Sequence, residues 1–149
     1  MKTIEKNTPQ EKDILVLIKE LGKELRVDCD NRLAEFGLTT VQGRVLFHIA
    51  KWTDEGKEVH QNDLEKHWNL SKSTVSGIIS RLEKKQLVMK ISNHPYFILK
   101  VTEKGMNIIE HISIKRNDTI DKLLKGLSEK EKEQMINNIK RCINNLKEE

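Results

Sequence analysis

Residues 60–90 read His60-Gln-Asn-Asp-Leu64-Glu-Lys-His-Trp-Asn-Leu70-Ser-Lys-Ser-Thr-Val75-Ser-Gly-Ile-Ile-Ser80-Arg-Leu-Glu-Lys-Lys85-Gln-Leu-Val-Met-Lys90. Two short helical patterns are joined by a tight turn. Ser71 suits the N-cap of the second helix because its hydroxyl can accept from the first free backbone amides. The apolar residues of that helix recur at spacings of three and four, which predicts one buried face: Val75, Ile78, Ile79 and Leu82.

The opposite side of this second helix carries small and basic residues. They are Ser73, Gly77, Ser80 and Lys84, flanked by Ser76 and Arg81. Gly77 costs on the order of 1 kcal/mol of helix propensity relative to Ala. Core packing does not explain an exposed glycine, whereas close approach of another surface does. These residues could simply form the solvent-exposed side of an amphipathic helix, but such a face also suits the major groove of DNA.

The charge distribution favours the DNA interpretation. Residues 66–90 contain six Lys or Arg and one acid, a net charge of +5, whereas the whole chain carries +4 and its remainder therefore −1. A localised basic surface is the electrostatic signature of phosphate binding.

The rest of the chain completes a winged helix-turn-helix. Residues 9–36 and residues 39–52 each show a helical apolar period, the second with Val41, Val45, Leu46, Ile49 and Trp52 inward. Strand formers at 87–91 and 96–101, separated by a turn at 92–95, predict a β-hairpin. Thr102 and Ser128 then cap two further helices. The predicted class is mainly α with a small β-hairpin wing.

The predicted organisation is a single domain, 1–149. Its winged helix-turn-helix lobe covers 38–102, and long helices at 9–36 and 103–147 carry more apolar surface than that lobe needs. Pairing with a second copy would cover them, and two-fold symmetry would double the DNA contacts. No run approaches the roughly 20 apolar residues of a membrane span. Cys29 and Cys142 are in no metal or redox spacing, which favours reduced thiols in the cytoplasm.

Six short motifs follow one another along the chain: Leu38-Thr39…Gln42…Val45-Leu46, Gln61-Asn-Asp-Leu64, Leu70-Ser-Lys-Ser-Thr-Val-Ser76, Arg81-Leu-Glu-Lys-Lys85…Leu87-Val88, Val101-Thr-Glu-Lys-Gly105 and Leu127-Ser-Glu-Lys-Glu131. In this order and spacing the chain resembles the MarR family of transcriptional regulators over roughly Gln10 to Leu146. The Gln42-Gly43 and Gln61-Asn-Asp elements are most similar to the branch that controls multidrug efflux.

The resemblance implies a homodimer that represses transcription from a pseudo-palindromic operator in double-stranded DNA. A small amphipathic or phenolic ligand would release it, and an apolar pocket would be lined by Phe36, Phe47, Trp52, Met89 and Met106. Plain core packing is the alternative interpretation, because buried aromatic and Met side chains usually only fill space. By resemblance, base edges and phosphates would be contacted by Ser71, Lys72, Ser73, Thr74, Ser76 and Arg81, and phosphate by His60 and Gln61.

The hairpin departs from the family pattern. The family's wing carries an Asp-x-Arg motif whose Arg enters the minor groove, whereas Ser92-Asn-His-Pro-Tyr-Phe97 contains no arginine. Lys90, Lys100 and His94 are weaker substitutes, so we predict weaker or less selective DNA binding than in a typical member. Gln86 replaces a turn glycine, and Glu65 replaces a small residue against the second helix of the motif.

The sequence gives less support to other functional classes. No phosphate loop or catalytic constellation is present, so an enzyme is not expected, and no cofactor is implied. A metal-responsive regulator is an alternative, although Gly43 and Arg44 stand where the zinc-sensing branch has an acid and a histidine. A second alternative is a winged-helix protein-interaction module, or anti-repressor, with weak or no DNA binding.

Overall fold

The computed structural model describes residues 9–93 and 95–148. Its elements are α1 (Pro9–Ala34), α2 (Thr40–Asp54), α3 (Gln61–Trp68), α4 (Lys72–Lys84), β1 (Val88–Asn93), β2 (Tyr96–Val101), α5 (Glu103–Leu123) and α6 (Glu129–Lys147). The chain divides within α5 into two compact units, residues 1–113 and 114–149. Helices followed by an antiparallel hairpin confirm the predicted winged-helix class.

The first unit is built around the apolar stripe of α4. Val75, Ile78, Ile79 and Leu82 are all buried, as their spacing predicts. They pack with buried residues of α1, α2, α3, the hairpin, α5 and the segments that connect them: Leu33, Leu38, Val45, Leu46, Ile49, Val59, Leu64, Leu87, Val88, Leu99 and Ile112. Burying one side of α4 in this way fixes which of its residues face outward.

The start of α2 corrects one sequence expectation. Thr39 and Gln42 form a capping box, in which the Gln42 amide donates to the Thr39 hydroxyl and the Thr39 amide donates to Gln42 Oε1, both at 3.2 Å. This pairing draws Gln42 into a buried position, whereas Val41 is 47% exposed. The prediction that Val41 points inward was wrong, because the capping geometry rather than hydrophobicity sets the orientation of this first turn.

The turn before α4 follows from its local chemistry. Asn69 adopts a left-handed conformation with φ of 50°, and its side chain tolerates this region better than most. Ser71 then caps α4, because its hydroxyl accepts from the Thr74 amide at 3.2 Å. The predicted turn and N-cap are both confirmed.

The hairpin is longer and tighter than the sequence suggested. Its register runs from the Val88–Val101 pair to the Asn93–Tyr96 pair, so β1 includes two residues that were predicted to lie in the turn. An isolated bridge joins Val59 to Leu99, whose amide donates to the Val59 carbonyl at 2.7 Å. The base of the wing is therefore tied to the segment before α3.

Polar contacts hold the base of the hairpin, where the chain enters β1 and leaves β2. Gln86, the residue that replaces a turn glycine, has a φ of 61°, so it adopts the left-handed conformation without glycine's freedom. The Thr102 hydroxyl donates to the Gln86 carbonyl at 2.6 Å and accepts from the Gly105 amide at 3.0 Å. Lys85 donates to the Gly37 carbonyl, which anchors the end of α4.

The second unit contains the end of α5 and α6. Gly126 adopts a φ of 87° in the connecting turn. Ser128 and Glu131 form the predicted capping box, with the Ser128 amide donating to Glu131 at 2.8 Å. The apolar residues of α6 include several that are exposed in this single chain: Ile136, Ile139, Ile143 and Leu146.

Candidate nucleic-acid interface

The outward face of α4 is formed by small polar and basic side chains. Ser71, Lys72, Ser73, Thr74, Ser80, Arg81 and Lys84 are exposed, while Ser76 and Gly77 are half-buried. Hydrogen bonds among the hydroxyls order the first turn: Ser71 Oγ lies 2.8 Å from Thr74 Oγ1 and 3.2 Å from Ser73 Oγ. The structure therefore brings these nine predicted residues onto one side of one helix.

Gly77 leaves a bare patch in the middle of this face. A Cβ built there would meet nothing closer than the Arg81 guanidinium, at 3.6 Å, which is ordinary van der Waals contact. No other part of the described chain therefore requires a glycine at this position. The patch is open to an external partner.

The cations of the face keep their charge available. Within the described ranges, neither Lys72 nor Arg81 nor Lys84 forms an ion pair. Lys90 lies 3.8 Å from Glu83, at the far end of the helix, with both side chains partly exposed. The Glu83 carboxylate offsets part of the Lys90 charge, so the positive charge of the face rests mainly on Lys72, Arg81 and Lys84.

The start of α3 meets the start of α4. Gln61 Nε2 donates to the Lys72 carbonyl at 3.3 Å, so the Gln61 amide group is directed toward the N-terminus of α4. The His60 amide donates to Asp63 at 2.8 Å, which caps α3, and His60 Nδ1 lies 3.0 Å from the Phe97 carbonyl. The two residues predicted to contact phosphate thus connect α4 to the wing.

A groove of about 490 Å³ runs between α3, the first turn of α4 and the wing. It is lined by His60, Gln61, Glu65, Lys72, Lys90, Tyr96 and Phe97, among others. Glu65, which replaces the small residue typical of the family, is half-buried and lines this groove. Lys90 is exposed on β1 at the same groove, and His94 lies outside the described residues.

Two aromatic residues of the wing were missed by the sequence reasoning. Tyr96 is 69% exposed and Phe97 is 57% exposed. The available signal was their position directly after the turn, at the strand end farthest from the core. Their residue types predicted only a strand. The pairing of Asn93 with Tyr96 places both residues at the tip of the hairpin, away from the core.

The candidate effector residues occupy two environments. Phe36, Phe47 and Trp52 are half-buried against the core, whereas Met89 and Met106 are exposed. The effector pocket remains a prediction.

Four rings of α2 and α3 pack together, which the sequence did not reveal. His48 lies 5.4 Å from Trp52, 4.9 Å from His67 and 4.7 Å from Trp68, measured between ring centroids. Lys57 Nζ lies 4.6 Å from the Trp52 centroid. Among the described residues, no three His, Cys, Asp or Glu side chains form a group that could hold a metal ion.

Two further observations concern the thiols and the membrane. Cys29 packs against the core, whereas Cys142 is exposed on α6, and both are free thiols. In the part of the chain that the structure describes, no helix has both the length and the apolar character to traverse a lipid bilayer.

The comparisons with known proteins identify similar sequences and folds. A MarR family model matches residues 36–93, which span the lobe from the end of α1 to the hairpin. None of the curated proteins matches the sequence.

The solved structures extend the similarity beyond that lobe. MepR of Staphylococcus aureus, a transcription regulator of the multidrug efflux pump MepA, is 25% identical, with 87% of this chain and 96% of MepR covered and a TM-score of 0.76. A MepR–DNA complex is also 25% identical, covering 87% and 94% at a TM-score of 0.64. A MarR family protein of Bacillus stearothermophilus, 22% identical, covers 94% of each chain at 0.70 and shows the fold alone.

Proposed function

We propose that this chain, a MarR-family winged-helix protein over residues 36–93, is a DNA-binding transcriptional regulator that acts as a homodimeric repressor. The observation that carries the proposal is the exposed face of α4, where hydroxyls and a glycine lie among cations without ion-pair partners in the described ranges. Such a face matches the major groove, in which side chains hydrogen-bond base edges and cations neutralise phosphates. The existence of a MepR–DNA complex with a similar fold supports this use of it.

The dimer is proposed from apolar side chains that this single chain leaves uncovered. Along α1, residues 14–18 form an unbroken apolar run, and each is more than half exposed. On α6, the exposed residues recur at helical spacing: Ile136, Ile139, Ile143 and Leu146. Exposed apolar surface of this extent is typical of an interaction site. A second copy presents the same surfaces, so a two-fold arrangement covers both sets and doubles the groove contacts.

The effector hypothesis belongs to the same proposal. A small amphipathic or phenolic molecule binding near Phe36, Phe47 and Trp52 would favour a conformation in which the two α4 helices no longer fit one operator. The apolar rings supply the burial that such ligands need. Release of labelled operator by a panel of phenolic and lipophilic compounds tests this part separately.

The main experiment is selection of bound sequences from random double-stranded DNA at two salt concentrations. A regulator yields a pseudo-palindromic consensus whose half-sites lie about one helical turn apart. Binding then weakens with salt, because each phosphate contact contributes about −0.9 to the slope of log K against log salt. A protein-interaction module would instead return no consensus, and its contacts with DNA would lack sequence preference.

Matched variants separate the roles of individual residues. In Lys72→Ala the slope becomes shallower by about 0.9 for each chain, hence by about 1.8 for a homodimer with one such contact per subunit. Lys130→Ala removes the same charge from the exposed side of α6 and leaves the slope unchanged. Ser73→Ala changes the preferred bases rather than the slope. An unchanged slope in Lys72→Ala refutes the orientation proposed for α4.

A further inference from the structure

The wing ends in aromatic side chains that the fold does not use. Tyr96 and Phe97 are the two most exposed large apolar residues described between Leu38 and Ser113. Farther along the same strand, Leu99 is buried in the core. The hairpin is therefore anchored at its base and carries two aromatic rings at its tip. Because both are exposed, they contribute little to the stability of this unit.

The two rings lie near Lys90 of β1 and near His60, the residue before α3. Lys90 Nζ lies 6.0 Å from the Phe97 centroid, and the His60 ring lies 6.2 Å from the Tyr96 ring. The His60 contact to the Phe97 carbonyl fixes the same strand against the start of α3. Lys72, in the first turn of α4, lines the same groove as Tyr96 and Phe97. The aromatic tip and the first turn of α4 thus border one groove, whose charged side chains are Lys72, Lys90 and Glu65.

Duplex geometry indicates what this surface meets. A helix in the major groove is bordered by a phosphate strand, and the minor groove lies beyond that strand. A projection beside the helix that carries cations at its base and apolar rings at its tip matches this sequence of phosphate followed by groove. Apolar side chains at such positions pack on sugars and wedge between base steps, which they partly unstack.

We propose that Tyr96 and Phe97 form an aromatic wedge that contacts the minor groove next to the site bound by α4. This inference rests on the proposed function and specifies how its DNA is selected. A wedge favours steps that deform easily, such as TA and CA, whereas a cation favours the narrow, electronegative groove of an A-tract. The chain therefore selects flanking sequence by deformability rather than by electrostatic potential.

The first test compares DNA affinity across a range of salt concentrations. Tyr96→Ala/Phe97→Ala loses affinity by about tenfold or more at every salt concentration, since both aromatic contacts with the bases are removed. The slope of log K against log salt stays at the wild-type value, because no charge has been removed. The swapped variant Tyr96→Phe/Phe97→Tyr keeps both rings and binds within about threefold of wild type, far closer than the alanine pair.

The second test changes the DNA under the wing. Replacing a flanking TA step by an A-tract weakens wild-type binding, because the stiffer step resists the wedge. In Tyr96→Arg the preference reverses toward the A-tract. Thermal unfolding of each variant shows that the fold is retained, as expected for such exposed positions.

The outcomes separate this inference from the proposed function. If the wild-type protein binds no duplex at low salt, both fail. If wild type binds and the double alanine variant binds equally well, or if its salt slope changes while the affinity loss vanishes at high salt, the aromatic wedge is wrong and the regulator proposal stands.

Discussion

Replacing Gly77 by alanine tests the open face of α4 through two opposite effects. Gly77 lies inside the helix, where glycine costs about 1 kcal/mol relative to alanine. The new Cβ would have its nearest neighbour, the Arg81 guanidinium, at 3.6 Å, so no strain offsets the gain in propensity. We therefore expect Gly77→Ala to be more stable by up to about 1 kcal/mol, a rise in Tm of roughly 2–4 °C for a chain of this size.

The same methyl group occupies space that we assign to DNA. If the backbone at Gly77 approaches a base edge or sugar, the added carbon weakens operator binding by about tenfold, or 1.4 kcal/mol. Since the charge is unchanged, the salt slope remains that of the wild type. Thermal or urea unfolding measures the first effect, and titration of the selected operator measures the second.

At a second glycine, substitution by alanine is expected to change the stability in the opposite direction. A Cβ at Gly105 in α5 would overlap the Leu87 carbonyl and lie 2.6 Å from Val101 Cγ1. Gly105→Ala is therefore less stable by about 1–3 kcal/mol, as overpacked sites are, despite its better helix propensity. A stabilised Gly77→Ala that binds operator as tightly as wild type would refute the close approach of DNA. A destabilised Gly77→Ala would show that the face is not open.

Two further predictions concern local backbone chemistry. Gln86→Gly should raise the free energy of unfolding by about 0.5–1 kcal/mol. Glycine removes the steric cost of the left-handed conformation, and this gain exceeds the entropy that glycine adds to the unfolded chain. A urea midpoint below that of wild type would contradict this. Ser128→Ala should lower the free energy of unfolding by about 1 kcal/mol, since it removes the hydroxyl that accepts from the Glu131 amide, and equal midpoints would show that the capping box contributes nothing.

Local rules in the sequence were enough for most of the fold. The spacing of Val75, Ile78, Ile79 and Leu82 predicts both α4 and its buried side, and Ser71 and Ser128 mark helix starts by their hydroxyls. The orientation of Val41 was not predictable from hydrophobicity, because it depends on the exchange of hydrogen bonds between Thr39 and Gln42. Capping geometry there rotates the first turn of α2.

The candidate site also has one part that the sequence predicts and another that it does not. The face of α4 lies on one helix, so its periodicity predicts which residues gather there. The groove between Lys72, Glu65 and Phe97 requires three elements that are distant in sequence, and the cluster around His48 and His67 requires two. Such sites depend on tertiary packing, which local sequence does not encode. The exposure of Tyr96 and Phe97 depends on where the hairpin turns, which is fixed by the pairing of the two strands.

The bridge between Val59 and Leu99 has a mechanical consequence. It makes the hairpin a lever with two supports, one at the base of its strands and one at the segment leading into α3. A force on the tip is transmitted as torque to the start of α3, and through Gln61 to the start of α4. The tip and α4 are therefore expected to tilt together. Under the proposed function, a signal that releases a homodimer from DNA would change the separation of the two subunits rather than fold one wing away.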